Sequence, residues 1–200
     1  MALSIFSLLL VFVYGCGGNS PEYYVRPEVD VAGIKRVAVF PFESLTNDMN
    51  AGEKIRRMVI TELLSRGIDV IEPGEVTSHL KDMKIKNLGS ISSRDIKNTG
   101  KTLGVDTVMT GSVEAYNISR GVSVSYPEVS INLMLLNTSN GEIIWSVWNT
   151  SGGADFWTRH FGTEGISLSE AAGKVVRKSI DTLFSGPSPV ATARRQYRDK

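Results

Sequence analysis

The sequence predicts a single α/β domain, a mixed sheet of about five strands with helices packed on it. Three observations predict it. A strand–helix–strand run (Ile34–Phe42, a helix from Asn50, then Ile68–Ile71) opens the domain, and two strands joined by a helix are parallel. Three strand-like stretches then follow without helices between them, about Thr107–Tyr116, Glu128–Leu136 and Glu142–Trp148. The last two flank Asn140-Gly141, a hairpin signal that makes them antiparallel. Finally, 200 residues, 42% of them hydrophobic and 22% charged, suit one ordinary globular domain.

The charge balance excludes one class of function. With 22 Lys+Arg against 21 Asp+Glu the formal net charge is +1, which does not describe a strongly basic nucleic-acid binder. The one cysteine excludes an intramolecular disulfide and a Cys-rich zinc site.

The chain opens on an apolar run, Ala2–Tyr14, interrupted by Ser4 and Ser7. It has the length of a signal-peptide core and falls short of the ~20 residues that span a bilayer as a helix. Val13-Tyr14-Gly15-Cys16 resembles a bacterial lipobox, in which an aliphatic residue and two small ones precede a cysteine that is diacylated before cleavage at its amino side. Tyr14 stands where a small residue is usual, and no Lys or Arg precedes Cys16. The alternative is a plain secretory leader or a short membrane anchor, with Cys16 incidental. The resemblance implies a signal peptide over 1–15 and a lipid on Cys16, and Gly17 in place of an aspartate implies sorting to the outer membrane. Two or three acyl chains anchor a protein stably where one is marginal.

Residues 16–33 contain Gly17, Gly18, Pro21 and Pro27 and read as a lipidated tether, reaching at most ~60 Å if extended. The domain is expected over 34–184. Val37–Phe40 is apolar on both faces, as in a central strand covered on two sides. Asn50 and Glu53 have capping-box spacing. Ile55, Met58, Val59 and Leu63 form one helical stripe, and Gly67 sits where a C′ glycine belongs. Pro73–Met83 begins with a short helix with Val76 and Leu80 inward, and Lys84–Gly89 is a loop. Ser92 and Asp95 cap a helix whose stripe is Ile96, Thr99, Gly100 and Leu103, and Gly104 ends it. Val129, Ile131, Leu133 and Leu135 share one strand face. Asn117–Pro127 and Asn149–Gly165 read as irregular. Ser167 and Glu170 cap a last helix carrying Leu168, Ala171, Ala172, Val175, Val176, Ile180 and Leu183 on one face. Residues 185–200, with Arg194, Arg195, Arg198 and Lys200, read as a disordered basic tail.

Two groups of segments carry a family resemblance. One is Arg36–Phe42 with the helix from Asn50 and Ile68–Glu72. The other is Leu103–Val113 with Leu133–Asn137 and Gly141–Ser146. Together they resemble the domain shared by the curli-secretion lipoprotein, the lipoprotein activators of penicillin-binding proteins and the TolB amino-terminal domain. The resemblance implies an accessory role in envelope assembly or secretion. The curli-secretion member forms a pore from two long membrane hairpins per subunit. A membrane strand needs ~9–11 residues, and the two irregular stretches here do not supply such hairpins. The short tether argues against reaching inward through a cell wall.

Candidate sites are few. Gly100-Lys101-Thr102 echoes the end of a phosphate-binding loop, but Asp95 stands where that loop needs glycine, and the triplet falls inside a helix pattern. Gly100 therefore reads as a close-packing position. His79 reads as a solvated surface residue. His160, near Asp155 and Glu164, has partners for acid–base work but no nucleophile and no metal-ligand spacing beside it. Trp157, Arg159, His160 and Phe161 are residue types that dominate interface hot spots, and they are the candidate partner-binding residues; the alternative is that the aromatics cover one end of the sheet. Trp145 and Trp148 have odd spacing, so one is expected in the core and the other half-exposed.

The expectation is therefore a non-enzymatic lipoprotein with no catalytic residue, cofactor or metal. It sits at the periplasmic face of the outer membrane, anchored through Cys16, and acts as an adaptor for an unidentified envelope protein. No small-molecule substrate and no nucleic acid is expected. The alternatives are an oligomeric secretion subunit like the curli-secretion lipoprotein, with homo-oligomerisation, and a cell-wall enzyme using His160.

Overall fold

A computed structural model describes residues 20–85, 88–120, 125–151 and 166–186. It is an α/β domain built on one mixed sheet. In chain order the elements are β1 (Glu22–Val25), β2 (Arg36–Val39), β3 (Glu43–Ser44), α1 (Ala51–Ser65), β4 (Asp69–Val70), α2 (Pro73–Asp82), α3 (Ser93–Leu103), β5 (Thr107–Arg120), β6 (Ser125–Asn137), β7 (Ile143–Ser151) and α4 (Leu168–Leu183). The strand order is β1-β7-β6-β5-β2-β4, with β3 beside β5. β2 is parallel to β4 and β5, while β5, β6, β7 and β1 run antiparallel in succession.

β2 alternates between two cores, as its unbroken apolar run requires. Val37 and Val39 face a core filled by Ile55, Val59 and Leu63 of α1 and Ala172, Val175, Val176 and Ile180 of α4. Ala38 and Phe40 face a second core filled by Val76 and Leu80 of α2 and Ile96 and Leu103 of α3. The first core runs on beneath Val129, Ile131, Leu133 and Leu135 of β6 and the fully buried Trp145 of β7. The indole Nε1 of Trp145 donates to Thr182 Oγ1 at 3.0 Å.

Two helix ends form as their sequence signals specify. Ser92 and Asp95 make a full capping box, and Gly104 closes α3 in the left-handed conformation at φ 61°. The expected cap at Asn50 does not form, because its side chain makes no capping bond. Asp48 organises that helix start instead. Its Oδ1 accepts from the Asn50 backbone N–H at 2.9 Å, and its Oδ2 takes Lys54 Nζ at 2.7 Å.

Two stretches are more ordered than their composition suggests. Glu22–Val25, inside the expected tether 16–33, is an edge strand paired with Ser146–Trp148 and Trp145 of β7. The sheet thus begins twelve positions before Ile34. Asn117–Pro127, expected to be irregular, belongs largely to a long hairpin, with Asn117 opposite Glu128, Ile118 opposite Pro127 and Arg120 opposite Ser125. Asn149–Ser151 likewise continues β7.

Candidate functional site

The helices cover the sheet unequally. On the face of the first core, α1 and α4 reach across to β7. On the opposite face, α2 and α3 pack over β2 and the start of β5, with Leu136 at the margin. The remaining half of that face, formed by β6, β7 and β1 with the adjoining part of β5, has no helix over it among the described residues.

Register decides which side chains stand there. Glu22 lies opposite Trp148, and Trp148 opposite Asn132; Tyr24 lies opposite Ser146, and Ser146 opposite Met134. Their neighbours Val147, Leu133 and Val25 are in the buried core, so these residues point the other way. Trp148 is 39% exposed, Tyr24 40% and Ile143 40%. The two tryptophans of β7 therefore divide as their odd spacing predicts.

A register shift between Val113 and Ala115 leaves Glu114 as an extra residue in β5. Such a bulge re-aims a side chain. Here the Glu114 carboxylate reaches the open half-face, where Oε2 accepts from Trp148 Nε1 at 2.9 Å and from Ser130 Oγ at 3.1 Å. These bonds hold an exposed indole in one orientation. Glu128 lies further along the same face, fixed by a hydrogen bond from Ser119 Oγ. No Lys or Arg occurs in β1, β6 or β7. Arg26, at the margin, is tied to Glu142 at 3.1 Å and to the Ile143 carbonyl. The surface is thus aromatic and acidic, with Met134 and Leu136 half-buried beneath.

A second concavity lies between α1 and α2. It is a shallow, open groove of about 550 Å³, lined by Glu53, Arg56, Arg57, Pro73, Thr77 and Lys81. Arg56 in its floor is 3% exposed. Its Nε and Nη2 donate to the Val39 carbonyl at 3.1 and 2.7 Å, and Nη2 also lies 3.5 Å from the Pro73 carbonyl. Burial pulls its pKa down, and nearby Glu53 opposes that. The guanidinium completes the backbone where β4 stops: Val37 gives its carbonyl to Ile71 N–H, but Val39 has no strand partner on that side and takes Arg56 instead. This is a structural arginine.

Cys16, Trp157, Arg159, His160 and Phe161 lie outside the described residues, as do residues 1–15 and 187–200. His79 is not a solvated surface residue. It is 7% exposed, with Nε2 3.1 Å from Thr99 Oγ1 between α2 and α3. Gly100 is a close-packing position, because a Cβ there would stand 2.4 Å from Thr138 Cβ. The triplet Gly100–Thr102 lies within α3. No group of three or more His, Cys, Asp or Glu side chains suited to a metal occurs among the described residues, and none of their helices is long and apolar enough to cross a membrane.

Sequence reasoning missed the acidic, aromatic half-face. The odd spacing of Trp145 and Trp148 marked one of them as half-exposed without saying which, and it is Trp148. β1 and the bulge that assemble Tyr24, Glu22 and Glu114 around it leave no local pattern.

No family model and no curated protein sequence matches the chain. Solved structures do. A PelC dodecamer from Paraburkholderia phytofirmans is similar over 83% of this chain and 97% of its own, at 22% identity and a TM-score of 0.59. Lipoprotein GNA1162 from Neisseria meningitidis is similar over 76% of this chain and 99% of its own, at 18% identity and a TM-score of 0.54. At these identities the likeness establishes the fold. The chain has a fold found in a solved bacterial lipoprotein, in agreement with the lipoprotein group that the motifs of β2 and β5–β7 resemble.

Proposed function

We propose that this is a non-enzymatic accessory lipoprotein of the bacterial envelope, held at the periplasmic face of the outer membrane through Cys16 and acting by protein–protein contact. The observation that carries the reading is the half-face that no helix covers among the described residues. Exposed Trp148 and Tyr24, an indole pinned by Glu114 and a surround of small polar side chains make a contact surface. The shared fold with lipoprotein GNA1162 supports the lipid anchor. We also propose Trp157, Arg159, His160 and Phe161, which follow β7 in the chain, as partner-binding residues.

One observation favours a self-associating form of this reading: the similar PelC structure is a dodecamer. In that form the protein is an oligomeric subunit of an envelope assembly or secretion complex.

Two experiments test the proposal. Cys16→Ser moves the protein from the membrane fraction to the soluble fraction and removes the acyl mass; unchanged fractionation and mass refute the anchor. A photocrosslinking residue at Tyr24 captures protein in cells, whereas one at Lys174 on α4 does not. No capture at Tyr24 refutes the contact surface.

A further inference from the structure

We infer that the open half-face is occupied by α3 of a second copy of this chain, and that the two copies exchange these contacts about a two-fold axis. The inference rests on the contact-surface reading above and names its partner.

Shape is the first argument. Among the described residues the second face of the sheet is a step: one half carries a helix layer, the other half none. Three strands spaced ~4.8 Å apart make a trough ~14 Å wide, enough for one helix ~10 Å across. If a second copy is turned over about an axis between the two sheets, its α3 enters this trough. The same rotation puts the first copy's α3 into the trough of the second. Both troughs are filled and the association closes at two.

Charge is the second argument. α3 buries Ile96, Thr99 and Leu103. Arg94, Lys97 and Lys101, at i, i+3 and i+7, form an exposed stripe directed away from that core. No ion pair among the described residues uses them. In the two-fold arrangement this stripe faces the partner's half-face, which presents Glu22, Glu114 and Glu128 and draws no base from β1, β6 or β7. Trp148 and Tyr24 there are 39% and 40% exposed, and aromatic rings attract cations. A basic ridge and an acidic, aromatic trough stand side by side on one surface, which makes that surface complementary to itself.

The test is a charge exchange on the full lipidated chain in detergent, read by sedimentation velocity. The wild type sediments as a dimer. Lys97→Glu with Lys101→Glu weakens association at least tenfold, and so does Glu22→Lys with Glu114→Lys. Mixing the two variants restores dimers, because each then offers the sign that the other lacks at both contacts. A monomeric wild type, an assembly indifferent to either variant, or variants that do not recover on mixing overturns the inference. Capture of a different protein at Tyr24 by a monomeric chain leaves the accessory reading standing and removes this one. No capture at all removes both.

Discussion

Arg56→Met tests whether the buried guanidinium is the missing strand partner of β2. The substitution keeps length and apolar bulk and removes the donors at 3.1 and 2.7 Å from the Val39 carbonyl. That carbonyl is then buried without a partner, at a cost of ~1–3 kcal/mol. The longer contacts, Pro73 at 3.5 Å and Glu53 at 3.5 Å, add little. The variant also relieves the burial that lowers the Arg56 pKa, which offsets part of the loss. The expected net destabilisation is about 2 kcal/mol, a fall of ~4–8 °C in Tm for a domain of this size. The assay is thermal and urea unfolding followed by circular dichroism. Arg57→Met, on an exposed residue of the same helix paired to Glu53 at 3.3 Å, is the control and stays within ~0.5 kcal/mol. If Arg56→Met moves Tm by less than about 1 °C, the carbonyl is satisfied by other means and the reasoning is wrong.

Three further outcomes follow from local geometry. Gly100→Ala forces a Cβ to within 2.4 Å of Thr138 and destabilises by ~1–3 kcal/mol, whereas Gly173→Ala in α4, where a Cβ meets nothing within 4 Å, stabilises by up to ~1 kcal/mol; equal effects in urea titrations would contradict the packing. The Asp95 pKa is depressed, chiefly by the hydrogen bond from the Ser92 side chain and then by that from its backbone. Its contribution is therefore complete above the ordinary carboxylate value of ~4 and is lost as pH falls through the lower folded value. The stability gap between wild type and Asp95→Asn should close from pH 5 to pH 2, and a constant gap refutes the capping-box electrostatics. Asn149→Ala removes an Nδ2 that donates to the Val175 carbonyl at 3.0 Å and to Ser179 Oγ at 3.1 Å. It lowers unfolding free energy by ~1–3 kcal/mol, and a loss confined to a few tenths in the same titrations argues against this tie between β7 and α4.

The two cores were legible because their signals are local. Val37–Phe40 announces burial on both faces, and the stripes of α1, α3 and α4 each repeat within one helix. The hairpin past Asn117 was not legible. Its strands extend beyond the helices, so both faces meet water in part and no hydrophobic alternation marks them. β1 was hidden for another reason. Glu22–Val25, between Pro21 and Pro27, resembles a linker, and what makes it a strand is the free edge of β7. His79 lies in a polar stretch, but Thr99, twenty residues on, provides its buried partner. The half-face combines both kinds of obscurity, since it needs β1 in place and the bulge at Glu114 to turn a carboxylate toward Trp148.

β1 also sets an order of events. Val25 pairs with Trp145 and Glu22 with Trp148, so the first strand to leave the ribosome waits for the last one. Closing so long a loop contributes slowly formed, non-local contacts. Until β7 has been synthesised and has met β6, Glu22–Val25 has no partner in the finished sheet. Glu22–Val25 therefore stays unpaired through most of the chain's synthesis. The strand nearest the expected acylation site is locked only when the rest of the sheet is complete.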